Sequence, residues 1–511
     1  MSSTPNGSGN AIVIGSGFGG LAAAIRLSAR GWRVQVLERL PTPGGRARVH
    51  EQDGFRFDAG PTIITVPHLF EELWALVGRK FSDDVQMKSL DPFYRIRFDD
   101  GRHFDYSGDP EHMRAEVARF NPADVPGFER LVKDSDIAFR EGFERCGPMA
   151  FDHLGHLVGA LPAMVKMRAW ETVWQRVKRH LRDPALRVAF SFHPLLIGGN
   201  PLHVSSAYVL IHALERRYGV HWAMGGTGEL IKGMCRLLTE RGASVRCNAD
   251  VKRIVVEGGR ATGVEMAGGE RLHADIVVSN ADTAWTYKHL LADTPRRVWT
   301  DRKIARAKYS MSLFVWYFGT NRRYENVPHH TMVLGPRYED LLTDIFQKHH
   351  LGEDFSLYLH RPSASDPSVA PAGHDAFYVL APVPHLDSQT DWAREAESFR
   401  AQVQGRLERT LMPGLGRHIV TSRVTTPQHF HDDLLSFKGA AFGMEPRLTQ
   451  SAWFRPHNRS EDVQGLFLVG AGTHPGAGVP GVLMSAQALE TVLPPLPEPM
   501  WPMTNPMKAG A

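Results

Sequence analysis

Three glycines, Gly15, Gly17 and Gly20, follow the apolar run Ala11 to Ile14 in the stretch AIVIGSGFGG. In G-x-G-x-x-G the first glycine permits a sharp turn and the second lets a pyrophosphate approach backbone N–H groups. The third lets a helix pack closely on a strand. Ser16, Phe18 and Gly19 fill the rest of the loop. A second apolar run, WRVQVLE, ends in Glu38, 23 positions after Gly15, and Arg39 follows it. A carboxylate there accepts hydrogen bonds from a ribose 2′-OH and disfavours a 2′-phosphate. The chemistry indicated is the holding of a dinucleotide. The elements required are a strand, a tight loop, the helix-period stretch LAAAIRLSARG and a second strand, and all four stand in order.

Directly after the second strand, RLPTPGGRARV places Gly44, Gly45 and Arg46 together. In nicotinamide enzymes this strand usually runs into another crossover helix. In glutathione-reductase-like flavoproteins and amine oxidases a G-G-R turn brings backbone and an arginine to the cofactor phosphates, so the continuation favours a flavin. Far downstream, Leu466 to Val469 forms another buried-strand pattern. It leads into a loop with Gly470, Gly472, Gly476, Gly478 and Gly481, then into the helix-period stretch VLMSAQALETVL. The segment from Ala243 to Asp282 reads as strands with glycine turns, the last near Val277.

A chain of 511 residues has length for two or three domains and core enough to need no staples. Lys plus Arg number 59 against 55 Asp plus Glu, too even a balance to indicate nucleic acid. Cys146, Cys235 and Cys247 are odd in number and widely spaced, which argues against a disulfide framework and suits a reducing cytoplasm. The polar start, MSSTPNGSGN, reads as a disordered tail rather than a signal peptide. No run approaches the ~18 apolar residues that a membrane span needs.

The chain resembles the bacterial-type phytoene desaturases, the carotenoid-forming branch of the amine-oxidase-like flavoproteins, nearly end to end. Besides the glycine motifs, the matching stretches are GFRFDAGPTIIT, AFSFHPLLIGGNP, YVLIHALERRYGV, MGGTGELIKGM, LTQSAWFRPHNR and LVGAGTHPGAGVPGV. The resemblance implies an α/β fold: a Rossmann-like FAD-binding domain of the glutathione-reductase and amine-oxidase type, with an inserted α+β substrate domain. The FAD-binding domain would comprise residues 1–86, 225–282 and 456–495. The substrate and membrane-associating domain would comprise 87–224 and 283–455, and residues 496–511 a flexible Pro-rich tail. The first βαβ unit would hold the ADP half of FAD. The last strand, loop and helix would reach the ribityl chain and flavin ring through Gly470, Gly472, Gly481, Val482 and Leu483. Many flavoproteins place an aspartate after the first glycine of this last loop, whereas this chain has Ala471. Val251 would offer backbone to the adenine.

The implied reaction is FAD-dependent desaturation of phytoene and partly desaturated carotenoids toward neurosporene or lycopene. A quinone or oxygen would reoxidise the flavin. A related carotenoid isomerase or oxidase, an amine oxidase and a prenyl-chain-binding escort protein without redox chemistry are the competing expectations. Phe93, Tyr94, Phe98, Phe104, Phe190, Phe192, Tyr208, Phe314, Trp316, Tyr317 and Phe318 would supply apolar lining, although aromatics at strand spacing more often form core.

In LVGALPAMVKMRAWETVWQRVKRHLRD, Leu, Met and Trp recur at helical spacing beside Lys166, Arg168, Arg176, Lys178, Arg179 and Arg182. Such a basic amphipathic segment, with Trp170 and Trp174, suits peripheral contact with the cytoplasmic face of a membrane. His193, Glu229 and His474 are the polar residues most embedded in the matching stretches, yet none is assigned as catalytic. With neither H-E-x-x-H nor a Cys/His cluster, a metal cofactor is not expected.

Overall fold

The computed structural model describes residues 9–496. The expected tails lie outside that range, apart from the first tail's Gly9 and Asn10 and the second's Leu496. A five-stranded parallel sheet lies at the centre of the first body. Its order is Leu466–Leu468, Ile276–Ser279, Asn10–Ile14, Arg33–Leu37 and Ser244–Arg246. Strands from the start, middle and end of the chain therefore lie side by side. The Asn10–Ile14 strand, buried from Ala11 to Ile14, is a continuous apolar run, as a parallel strand covered on both faces should be. Helix Phe18–Ala29 crosses between it and Arg33–Leu37, and packs on Val479–Val492 and Thr227–Glu240. Alanine at 22, 23 and 24, each fully buried, keeps that contact close.

A three-stranded antiparallel meander, Val251–Glu257, Arg260–Met266 and Arg271–His273, flanks this sheet. The second body is a seven-stranded mixed sheet built from residues 94–106 and 312–425, in the order Ile419–Thr425, Ser312–Thr320, Asp375–Val383, Leu357–His360, His330–Val333, Tyr94–Arg97 and His103–Tyr106. Its pairings are antiparallel except where His330–Val333 runs parallel to Tyr94–Arg97.

The strand Ser312–Thr320 shows how the sheet sorts its aromatics. Leu313 and Tyr317 face a large internal cavity, while Phe314, Trp316 and Phe318 pack on the opposite face against Phe399, Val403 and Leu407 of helix Trp392–Thr410. The period-2 alternation of a strand makes this division unavoidable. The expected aromatic lining is corrected accordingly. Phe192, Tyr208 and Tyr317 line the cavity, whereas Phe93, Tyr94, Phe98, Phe104, Phe190, Phe314, Trp316 and Phe318 belong to the surrounding packing.

The basic amphipathic segment is also divided. Leu154–Lys166 is one helix, with Pro162 inside it, and Val173–His180 is another. Trp170 is exposed, but Trp174 is buried beside Tyr338, with ring centres 5.7 Å apart. Arg176 is buried and paired with Asp134 at 2.6 Å and Glu171 at 3.0 Å. Arg179 also turns to Glu171, and Lys166 to Glu141. These carboxylates lie outside or between the basic positions, so a helical projection of the basic stretch alone does not reveal the pairing.

The turn at Gly20 is the tightest point of the first crossover. A Cβ there would stand 2.0 Å from the Gly15 carbonyl oxygen. Gly268 has no neighbour within 4 Å and an ordinary backbone conformation. Gly20→Val is therefore expected to cost about 1–3 kcal/mol or more through overpacking, and Gly268→Ala almost nothing. Thermal unfolding of the two purified variants checks the contrast.

Candidate functional site

The glycine loop and the G-G-R turn are one structure. The Gly44 N–H donates to the Ser16 carbonyl at 3.1 Å and to Ser16 Oγ at 3.2 Å. Ser16 in turn donates to Glu38 Oε2 from both its backbone N–H, at 2.9 Å, and its hydroxyl, at 2.6 Å. Leu40 N–H donates to Glu38 Oε1 at 2.9 Å. A carboxylate has about four acceptor sites, so with three bonds this buried group, which lines the cavity, is oriented by the protein and keeps some acceptor capacity.

Gly44 and Gly45 both have positive φ, +116° and +57°. A Cβ on Gly45 would lie 3.7 Å from Gly17 Cα, so the turn sits directly against the loop. Arg39 donates to the carbonyls of Asp432 and Asp433. Arg46 donates to Ser436 Oγ at 2.8 Å, while its Nε is buried without a partner. Burial pushes the Arg46 guanidinium down and the neighbouring Asp282 carboxyl up from their ordinary values.

The loop from the far end of the chain meets this assembly at Asn280. A Cβ on Gly470 would stand 2.4 Å from Asn280 Oδ1, and one on Gly19 2.6 Å from the same atom and 2.9 Å from Gly470 Cα. Arg455, fully buried, donates to the carbonyls of Ala471 at 2.7 Å, Met444 at 2.9 Å and Gln450 at 2.9 Å, and so fixes the loop where Ala471 replaces the more usual acid.

Both helices that begin here, Phe18–Ala29 after Gly17 and Val479–Val492 after Gly478, have no side-chain cap and no acid in the first turn. Their N-terminal residues line the same cavity. Free N–H groups and the positive ends of two helix dipoles thus converge on one space, the arrangement that receives anionic phosphate and electron-rich ring oxygens. The Cβ-free cradle, the two uncapped helix ends and the unsatisfied Arg46 Nε fit a flavin dinucleotide.

Of the residues expected to hold it, Gly15, Gly17, Phe18, Gly19, Glu38, Arg39, Gly44, Gly45, Arg46, Val251, Gly470, Gly481 and Val482 line the cavity. Ser16, Gly20, Gly472 and Leu483 do not. Ser16 is turned to Glu38, and Gly20 packs on Gly15. Gly472 lies against Thr283, and Leu483 is in the core. Asn280, Asp282 and Arg455 were not anticipated. Asn280 and Asp282 follow the strand Ile276–Ser279 at its carboxyl end, where α/β sheets place ligands, so the SNAD stretch carried a readable signal.

The cavity encloses about 630 Å³ and continues from the glycine loops into an apolar space bounded by Met311, Leu313, Met332, Tyr338 and Leu342. Three polar residues singled out in the sequence have different environments. Glu229 pairs with Arg56 at 2.9 Å and Lys232 at 2.8 Å. Burial opposes its ionisation, but these hydrogen bonds outweigh that and hold its carboxyl low, away from the cavity. His193 is buried behind the wall, with Nε2 2.5 Å from the Tyr94 hydroxyl. His474 lines the cavity. Its Nε2 is 2.8 Å from the Cys146 carbonyl, which accepts only from an N–H, so Nδ1 carries the lone pair and has no partner. Burial pushes His474 down to about 4.

Glu215, unforeseen in the sequence, is the buried carboxyl that joins this wall. It lines the cavity and accepts from the Tyr94 hydroxyl at 2.8 Å, and burial pushes it up to about 7.

The family model for flavin-containing amine oxidoreductases matches residues 18–488. A neurosporene-forming phytoene desaturase of Cereibacter sphaeroides is 50% identical over 492 residues, covering 95% of each chain. A lycopene-forming phytoene desaturase of Pseudescherichia vulneris is 48% identical, over 94% of this chain and 98% of the other. Among solved structures, an oxidoreductase from Methanosarcina mazei superposes with a TM-score of 0.64 at 17% identity, over 94% of this chain and 100% of the other. Putrescine oxidase bound to putrescine gives 0.63 at 13% identity, over 95% and 99%. With the glycine-lined cradle at the junction of its two ends, the chain belongs to the flavin-containing amine oxidoreductase family.

Proposed function

We propose that the protein catalyses the desaturation of phytoene, introducing successive conjugated double bonds toward neurosporene or lycopene, with FAD as its cofactor. The observation that carries this reading is the continuity of one cavity from the dinucleotide cradle into an apolar space. Identity near 50% with neurosporene- and lycopene-forming desaturases supports it. Bound FAD supplies a two-electron acceptor.

The walls do the positioning. Met, Leu and Tyr side chains leave an extended hydrocarbon few orientations and exclude water, so the C–H bond to be broken is held rather than searched for. Desaturation removes a hydride and a proton from adjacent carbons. Loss of hydride beside an existing polyene leaves a delocalised cation, which makes the neighbouring proton acidic. His474 Nδ1, an acceptor of low basicity, and Glu215 in its carboxylate form are two cavity groups that can receive it. Quinone or oxygen would take the electrons onward.

Membrane contact is part of the proposal, and the exposed apolar positions at the front of the basic segment offer the surface for it. Helix Leu154–Lys166 exposes Leu154, Val158, Leu161 and Val165 on one side, near exposed Trp170. Its opposite side, Leu157, Ala160, Ala163 and Met164, lines the cavity. A single helix would then separate lipid from the substrate space, on the cytoplasmic side of a bilayer. No helix among the described residues is long and apolar enough to cross a membrane.

Expression in cells that accumulate colourless phytoene should add long-wavelength carotenoid absorption bands to their extracts, and absence of such bands contradicts the proposal. Gly17→Val should abolish the colour and the yellow flavin chromophore with little change in thermal unfolding. Its Cβ would meet only the Asn280 side-chain amide at 3.1 Å and the Gly44 carbonyl at 3.9 Å, while the larger side chain would fill the cradle. Val158→Glu with Val165→Glu should weaken cosedimentation with anionic liposomes roughly tenfold or more, since each removes an apolar side chain worth about 1.5–3 kcal/mol on burial.

Glu215 makes stability depend on pH in a predictable direction. A carboxyl whose folded value is about 7 is easier to bury protonated. Wild type is therefore expected to lose stability relative to Glu215→Gln as pH rises from about 4.5 to about 7, by an amount on the order of 3 kcal/mol. Denaturant titrations of both proteins at pH 5 and pH 8 measure it.

A further inference from the structure

On the seven-stranded sheet, His330 and His360 stand directly opposite each other in the antiparallel pair His330–Val333 and Leu357–His360, and His329 immediately precedes the first strand. All three imidazoles are buried, at 7%, 1% and 1% exposure for His329, His330 and His360. One nitrogen of each lies within 4.8 Å of the others. His329 Nε2 and His360 Nε2 are 3.0 Å apart, and His330 Nε2 is buried with no partner. The ring centres are separated by 4.5, 4.9 and 5.1 Å. Imidazoles bound at about 2.0–2.1 Å around one tetrahedral ion would hold their donors about 3.3 Å apart and their ring centres about 5 Å apart.

We propose that His329, His330 and His360 bind one divalent transition-metal cation of the zinc type through their Nε2 atoms. Hydrogen bonds on the far side of two rings support the assignment. His330 Nδ1 lies 2.7 Å from the Tyr358 hydroxyl, which is itself 2.6 Å from Thr62 Oγ1. His329 Nδ1 lies 2.8 Å from Ser365 Oγ. Partners on the non-ligating nitrogen are what orient a metal-bound histidine and set its tautomer. Burial keeps the imidazoles neutral, the form a cation requires. Without a cation, one proton is shared between His329 and His360 while the third nitrogen is left over. A metal gives all three a partner.

Trp222 closes one side, its ring centre 5.1 Å from those of both His329 and His360. Asp366, which accepts from the Trp222 indole at 3.4 Å, supplies negative charge nearby, while Lys88 and Arg361 are the neighbouring cations. Three protein nitrogens leave a fourth position for water or a small anion.

The site lies behind the cavity wall. Tyr358 reaches the cavity from the same strand as His360, and Thr62 from the segment that follows Asp58. The cation would pin the strand pair carrying Met332, Leu357 and Tyr358, and through Tyr358 fasten it to Thr62. No local pattern marks the site, because two adjacent histidines and a third some 30 residues later match no familiar ligand spacing. Strand register alone brings them together.

The test uses untagged full-length protein with flavin bound. Mass-spectrometric metal analysis after gel filtration should find about one zinc per chain. Protein depleted with a chelator should unfold at lower temperature and recover on adding Zn2+. Reloading with Co2+ should produce the intense visible bands of a tetrahedral nitrogen-ligated ion. His360→Gln should lose the metal and keep the yellow chromophore, whereas His153→Gln with His156→Gln, in the surface Asp152–His153–His156 group, should keep both. If His360→Gln does not fold, the wild-type metal content and Co2+ spectrum decide. Metal below about a tenth of an equivalent with no Co2+ bands overturns the proposal, as does unchanged metal content in folded His360→Gln.

Discussion

Two stretches of backbone from opposite ends of the chain approach so closely around Asn280 that neither Gly19 nor Gly470 has room for a single Cβ. That contact is what the rest of the architecture serves. The Asn10–Ile14 strand delivers the first loop and Leu466–Leu468 the second, and Ile276–Ser279 lies between them and presents Asn280 to both. The parallel register of the three strands sets all three carboxyl ends at one level, where an open α/β sheet forms its crevice. Arg455 and Ser485 then tie down the second loop, through the Ala471 carbonyl and the Gly470 N–H. The cofactor site is thus a packing problem solved by absence of side chains, with polar groups placed around the gap.

How much of this was legible depends on where the signal lay. The strand, loop and helix at each end were readable because local pattern and chemistry coincide there: apolar runs, glycines at fixed offsets, and Glu38 at the end of its strand. Asn280 and Arg455 act through neighbours far away in the chain; the place of Asn280 directly after its strand was a readable signal, whereas nothing local marks Arg455. Aromatics in LFVWYFG could not be assigned to cavity or core without knowing which face of the sheet meets helix Trp392–Thr410. The pairing of the basic stretch was hidden for a related reason. Two of its charge partners, Asp134 and Glu141, sit on helices upstream, so the burial of Arg176 could not be told from the exposure of Arg168, Arg179 and Arg182.

The buried polar groups divide in the same way. Glu229 reads as an embedded acid in the sequence but is held in an ion-pair cluster. Glu215, within YVLIHALERRYGV, stands among apolar residues of helix Leu210–Tyr218 and points its carboxyl toward the cavity and Tyr94. Burying a carboxyl without a cation is costly unless it stays protonated or strongly hydrogen-bonded, and here the hydroxyl of Tyr94 shares that load.

The interleaving of the central sheet has a consequence for how the protein is made. Its edge strand Leu466–Leu468 and the helix Val479–Val492 that covers Phe18–Ala29 are synthesised after the sheet's other four strands. Until the ribosome has released them, that first helix has only part of its packing and the outer edge of Ile276–Ser279 is unpaired. A nascent chain that already holds four of the five strands therefore still exposes apolar surface and an open sheet edge, the features that recruit chaperones or cause aggregation. Chains cut short by a late stop codon would be left in that condition permanently.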